Sequence, residues 1–90
     1  MSTKELWIVM SESDGETDAI AVNGKYAAQD IFGQYVENEF RYGHDGETVD
    51  GVFITSDGHA RIQIGSYDDM MKWNPELRDN EMLQDSMEWM

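Results

Sequence analysis

Nineteen of the 90 residues are Asp or Glu, so carboxylates are the first groups to ask for chemistry. Two sets stand out. Glu12, Asp14, Glu16 and Asp18 alternate across the first glycine-containing turn. Asp68, Asp69, Glu76, Asp79, Glu81, Asp85 and Glu88 crowd the C-terminal stretch, against Lys72 and Arg78 alone. Acid clusters invite calcium, but the EF-hand spacing fails in every register. Placing Gly15, Gly46 or Gly58 at the invariant glycine puts Met10, Arg41 or Phe53 at the first ligand position. No metal site and no cofactor are expected. His44 and His59 each lie within two residues of an Asp in glycine-rich stretches and are expected as exposed turn histidines. Ser2, Ser11, Ser13, Ser56, Ser66 and Ser86 lack a nucleophile-elbow context. Neither phosphate-cradling glycine pattern occurs, and the absence of cysteine removes thiol chemistry, disulfides and Cys-type zinc sites. A non-enzymatic protein is expected.

What remains for the carboxylates is their field. The formal net charge is −13 with a pI near 4.1. The acids divide nine to residues 1–45 and ten to residues 46–90, with three basic residues in each half, so the acidity belongs to the whole domain. Such a surface excludes direct binding to nucleic acid or to an anionic membrane, which both require cations. A chain of this length folds to a span of roughly 30 Å. Duplex DNA carries about 18 charges over that distance. Thirteen net negatives therefore come within a factor of two of duplex density. Alternate residues of a strand lie about 6.7 Å apart, and helical residues three or four apart about 5–6 Å, both of the order of successive phosphates. Plain solubility is the competing explanation for the same acids.

The elements that must carry these groups follow from periodicity. Forty per cent hydrophobic and eleven per cent aromatic residues supply one modest core, hence one domain over residues 1–90. Lys4–Ser11 reads as a strand, Glu12–Glu16 as a turn around Asp14-Gly15, and Thr17–Val22 as the returning strand. Asn23 is placed to cap a helix from Lys25 to about Arg41, whose inner side is Ala27, Ala28, Ile31, Phe32, Tyr35, Val36 and Phe40. A polar loop, Tyr42–Glu47, leads to a hairpin of Val49–Ser56 and His59–Gly65 joined by a two-residue Asp57-Gly58 turn, with Phe53 opposite Ile62. Ser66–Asp69 resembles a capping box opening a short helix that ends near Trp73. Asn74 and Pro75 start another that runs to about Glu88 on a buried stripe of Leu77, Leu83, Met87 and Met90. The expected fold is α+β: a four-stranded antiparallel sheet with helices on one face, order ββαββαα. The segments Ser11–Tyr26 and Thr55–Tyr67 echo each other weakly, so a ββα duplication over 1–45 and 46–90 stands beside a coincidence of hairpin design.

A sheet covered on one side leaves an apolar outer face. Trp7, Val9, Val52 and Ile54 are the residues expected there, as a partner surface or as a homodimer contact. The competing arrangement wraps the C-terminal helices over that face. The longest apolar run, Leu6–Met10, is too short for a signal-peptide core or a membrane span, and a cytoplasmic location is expected.

Size, strong acidity, lack of cysteine and the hairpin–helix–hairpin plan together resemble the small acidic inhibitors made by bacteriophages, including anti-CRISPR and anti-restriction proteins. The segment Ala19–Phe40 (AIAVNGKYAAQDIFGQYVENEF), followed by a glycine-rich loop and a hairpin, is similar to a layout found in some anti-CRISPR proteins. It covers about half the chain. The class shares no fixed site, so no residue role carries over. The resemblance implies a DNA-mimicking inhibitor that occupies the basic, nucleic-acid-binding surface of a host defence complex. On that reading the acidic contact residues are the two sets named above, and the favoured set is the C-terminal one. The other reading is a small acidic adaptor or structural module that dimerises through its open sheet face.

Overall fold

The computed structural model describes residues 5–88. It contains β1 (Leu6–Ser13), β2 (Glu16–Asn23), α1 (Lys25–Arg41), β3 (Gly46–Val49), β4 (Val52–Thr55), β5 (Ala60–Ser66), α2 (Tyr67–Trp73), a 3₁₀ turn (Pro75–Asp79) and α3 (Glu81–Glu88). The strands form one antiparallel sheet in the order β2-β1-β5-β4-β3. The class is α+β. The expected four strands, the order ββαββαα and the single covered face are all corrected: there are five strands, and helices lie on both faces.

The fifth strand exists because of one turn. Asp50 and Gly51 both take positive φ (51° and 78°), as do Asp14 and Gly15 (50° and 78°). Each pair makes the two-residue loop whose twist matches an antiparallel hairpin. Asp50-Gly51 therefore cuts the expected Val49–Ser56 strand in two and folds Gly46–Val49 back along β4, Val49 opposite Val52. The last Asp-Gly pair departs from expectation in the other direction. At Asp57-Gly58 only the glycine has positive φ (74°), and the Gly58 amide donates to the Thr55 carbonyl, giving a four-residue loop. The register across it is the expected one, Phe53 against Ile62.

Alternation along β1 divides the core. Val9 joins Phe53, Ile62 and Ala28 beneath α1, with Ile31, Phe32, Tyr35 and Val36 packed around them. On the opposite face Ile8, Met10, Ala19 and Ala21 lie beneath Met70, Met71, Leu77 and Leu83 from the C-terminal helices. Burying each large side chain of this kind is worth about 1.5–3 kcal/mol, so the second layer is integral to stability. Along α1, Ala27 is exposed, while Phe40 packs edge-on to Phe53 with ring centroids 5.6 Å apart.

Caps differ in detail from the sequence expectation. Gly24 (φ 110°), not Asn23, precedes α1, and Asn23 Oδ1 instead accepts from the Glu5 amide. Ser66 caps α2 as expected, accepting from the Asp69 amide. The expected single helix from Asn74 to Glu88 is broken after the 3₁₀ turn. Asn80 Oδ1 accepts from the Leu83 amide and restarts the chain as α3. Lys4 as a strand start, Ser2, and Met90 as part of the buried stripe fall outside the described residues. The domain measures 44 × 25 × 21 Å. No helix among the described residues is long and apolar enough to cross a membrane.

Candidate partner-binding surfaces

The C-terminal acids sit on short, well-anchored elements. Asp68 and Asp69 occupy the exposed first turn of α2, where carboxylates favour the positive end of the helix. Glu76 and Asp79 are exposed on the 3₁₀ turn. Glu81, Asp85 and Glu88 follow one another at spacings of four and three along α3, all exposed. Their helix is held from beneath by fully buried Leu83 and by two hydrogen bonds to the edge of the sheet. Asn80 Nδ2 donates to the Thr17 carbonyl (2.9 Å), and Ser86 Oγ accepts from the Ala21 amide (2.9 Å). Among the described residues none of these seven carboxylates forms an ion pair; the Lys/Arg pairs are Arg41–Glu37 and Arg61–Glu12. Asp85 and Glu88 lie in the closing turns of α3, which has no basic residue there, against the preference of the helix dipole.

The hairpin acids do not form one ribbon. Glu12 is half-buried on the C-terminal-helix side of the sheet, 3.3 Å from Arg61 Nε. Asp14 stands in the turn, and Glu16 and Asp18 fall on the α1 side. Asp18, together with partial burial, raises the Tyr35 phenol above its usual pKa of 10.0, burial being the larger cause.

The four apolar residues expected on a common outer face are divided between faces. Val9 is fully buried beneath α1, and Trp7 packs beside it under Lys25, whose ammonium lies 5.9 Å from the ring centroid. Val52 and Ile54 alternate with Phe53 and so face the other side, where α2 and α3 leave the β3–β4 end bare. Ile54 is 52% exposed and Val49 63%, and Val52 is half-buried between them. Trp73, 53% exposed, overhangs Gly65 at the border of this bare area. Val49 and Trp73 were not identified from the sequence. The turn at Asp50-Gly51 is the signal that places Val49 on this side.

Between the covered and bare parts runs a buried polar network that sequence reasoning also missed. Gln63 Oε1 accepts from Arg61 Nη1 and from Asn74 Nδ2, both at 3.1 Å, and Arg61 Nη2 donates to Asn74 Oδ1 at 3.3 Å. Gln63 and Asn74 are buried, and every buried side-chain polar atom described has a partner. Asn74 thus ties the joint after α2 to β5 rather than capping the following turn.

His44 and His59 lie in loops but are not the exposed turn histidines expected. Their rings stack at 4.1 Å with planes 9° apart, both half-buried. Asp57 Oδ2 lies 2.9 Å from His44 Nδ1, and Asp57 Oδ1 accepts from the His59 amide. That amide first, then the His44 and Thr55 side chains, lower the Asp57 carboxyl to about 2. The cluster ties the α1–β3 loop to the β4–β5 loop. Ser86 and Ser66 are engaged in structural hydrogen bonds. Among the described residues no group of three His, Asp or Glu side chains is arranged to hold a metal ion.

Comparison with protein-family models, curated proteins and solved structures yields no match. Two surfaces stand out among the described residues: one rich in unpaired carboxylates on the C-terminal helices, and one apolar and bare on β3–β4.

Proposed function

We propose that this chain is a non-enzymatic inhibitor of the bacteriophage type. It occupies the basic, nucleic-acid-binding surface of a host defence complex with DNA-mimicking carboxylates. The single observation that carries the reading is the run of seven exposed carboxylates from Asp68 to Glu88, none of them ion-paired among the described residues, on helices packed against the sheet. A helix ending in Asp85 and Glu88 without a cation gives up dipole stabilisation, which fits a surface selected for its field. Along the 44 Å axis a DNA duplex would carry about 26 charges, so a net −13 is about half its linear density. Rigid placement keeps that charge from collapsing onto its own cations. Association with a basic cleft is then fast and strongly screened by salt.

The test uses the full chain as bait in a bacterial lysate, with duplex DNA as the eluent. Retained nucleic-acid-binding proteins should be displaced by DNA and by salt above about 0.2 M, where the Debye length falls below 8 Å. The triple variant Glu81→Gln, Asp85→Asn, Glu88→Gln should retain at least tenfold less of them. Retention that survives both DNA and charge neutralisation would defeat the proposal.

A further inference from the structure

The two edges of the sheet present different chemistry, and the free one is built to receive a strand. In the β3–β4 hairpin, Val49 opposes Val52 directly across the two-residue turn, and the Asp45 carbonyl accepts from the Ser56 amide (2.7 Å) at the far end. Hydrogen-bonded pairs alternate with non-bonded ones in an antiparallel ladder. Residues 45, 47 and 49 therefore bond inward to β4, and the N–H and C=O groups of Gly46 and Thr48 point outward. Among the described residues no hydrogen bond from another element reaches them, and Thr48 is exposed. The strand is four residues, about 13 Å, and carries no Lys or Pro of the kind that discourages edge pairing.

Beside this edge lies the bare apolar row of Val49, Val52 and Ile54, and around it are Asp45, Glu47 and Asp50. The one cation on the same cross-strand row, Arg61, is already held by Glu12. Asp45, Glu47 and Val49 share one face with Val52 and Ile54, so every second side chain of an incoming strand would meet that face: an aliphatic one against Val49, cationic ones against Asp45 and Glu47. A second copy of this chain does not suit the site. With Gly46 paired to the Thr48 of a second copy, Glu47 would oppose its own counterpart, and two domains of net charge −13 would be brought together.

We propose that β3 captures a short extended segment of a basic protein by strand addition, in which every second residue faces the apolar row and these residues are Lys or Arg interspersed with aliphatic ones. The proposal relies on the preceding reading for the partner's positive charge, but it uses a different surface. Backbone pairing supplies affinity and the Val49–Val52–Ile54 row selects side chains, whereas the α3 carboxylates act at longer range.

The test titrates a ten-residue peptide with Thr at every second position and Lys and Val alternating at the others, and the same peptide N-methylated at the Thr amides, into the full chain. The methylated form keeps the charge and loses the backbone donors that face β3 when Lys and Val lie on the apolar row. Slowed exchange of the Gly46 and Thr48 amides is expected with the plain peptide, and at least tenfold weaker binding for the methylated one. Thr48→Pro removes an outward N–H that makes no internal bond and should weaken the plain peptide at least tenfold. The double variant Glu47→Lys, Ile54→Thr, at two exposed positions, should weaken it at least fivefold with an unchanged melting curve. The α3 triple variant should bind the peptide within twofold of the parent while losing DNA-displaceable retention, so the two proposals fail separately. Equal binding of plain and methylated peptides, or full binding by Thr48→Pro and the double variant, overturns strand addition. Sedimentation of the protein alone as a dimer with protected Gly46 and Thr48 amides would overturn it in favour of self-pairing.

Discussion

Along β2, α3 answers the outward backbone groups of Thr17 and Ala21 with the side chains of Asn80 and Ser86; along β3, the outward groups of Gly46 and Thr48 meet none among the described residues. One chain thus packs a helix along an edge of eight residues, bonding two of its outward groups, and leaves an edge of four without such a helix. The long edge, if bare, would template indiscriminate pairing. The short one offers too little length for that, yet enough for a selected segment. The same contrast runs through the second face. It is packed where Leu77 and Leu83 cover Ile8 and Met10, and bare where Val49 and Ile54 face solvent.

The severest way to break the contrast is to unseat α3. Leu83→Ala should cost about 3 kcal/mol in denaturant unfolding, as expected for a large aliphatic cavity, and should speed exchange of the Ala21 amide. Exchange at Ala21 unaltered by this substitution would mean that α3 does not guard the edge. Removing the open edge instead requires Gly46. A Cβ there would strike the Ile54 carbonyl oxygen and the Phe53 ring, so Gly46→Ala should destabilise by about 2 kcal/mol and detach β3. Loss of the Thr48–Phe53 cross-strand contacts in NMR spectra, with the β1–β2 contacts intact, is the expected readout.

A gentler change, Ser86→Ala, deletes the hydroxyl that bonds the Ala21 amide and should cost about 1 kcal/mol. Its mark is faster exchange at Ala21 than at Ile20, whose amide lies in a pair bonded inward to β1; equal acceleration at both would point to general loosening. The smallest effects belong to titration at the periphery. Asp57 has its carboxyl lowered from 3.8 to about 2 in the folded chain, so its stabilising contribution is present above 3.8 and is lost as pH falls through 2. Asp57→Asn should flatten that part of the acid limb. Tyr35 behaves in the opposite sense: its raised phenol pKa favours the fold below 10.0, and stability declines as pH climbs beyond that value. An alkaline limb unchanged in Tyr35→Phe would show that Tyr35 contributes nothing to it.

How far the sequence discloses this design differs from element to element. The α1 stripe from Ala28 to Val36 and the Ser66 cap are local patterns, and both are read directly. The β3 strand is hidden because four Asp-Gly pairs look alike, while only Asp14-Gly15 and Asp50-Gly51 place both residues at positive φ. A four-residue strand has too little alternation to break the tie. The second helical layer does have a signal: Leu6–Met10 is apolar at every position, as befits a strand buried on both sides. On β5 that signal is masked, since Gln63 sits in the polar network and Gly65 makes room for Met70 and Trp73. The carboxylates of the C-terminal helices are legible by count and spacing. The division of Trp7 and Val9 from Val52 and Ile54 depends on strand order, which no local pattern states.

That strand order also governs how the chain can be made. The strand that leaves the ribosome first, β1, lies in the middle of the finished sheet, and its second neighbour is β5. Ser13 must wait for Ala60 and Trp7 for Ser66, separations of 47 and 59 residues. At translation speeds of 5–20 residues per second, that leaves the side of β1 facing β5 unpaired for roughly 2–12 s. During that interval Ile8, Val9 and Met10 have only β2 and the nascent α1 for company. Glu12, Asp14, Glu16 and Asp18 flank them on the same hairpin, and like-charged nascent hairpins on neighbouring ribosomes repel one another until β5 arrives.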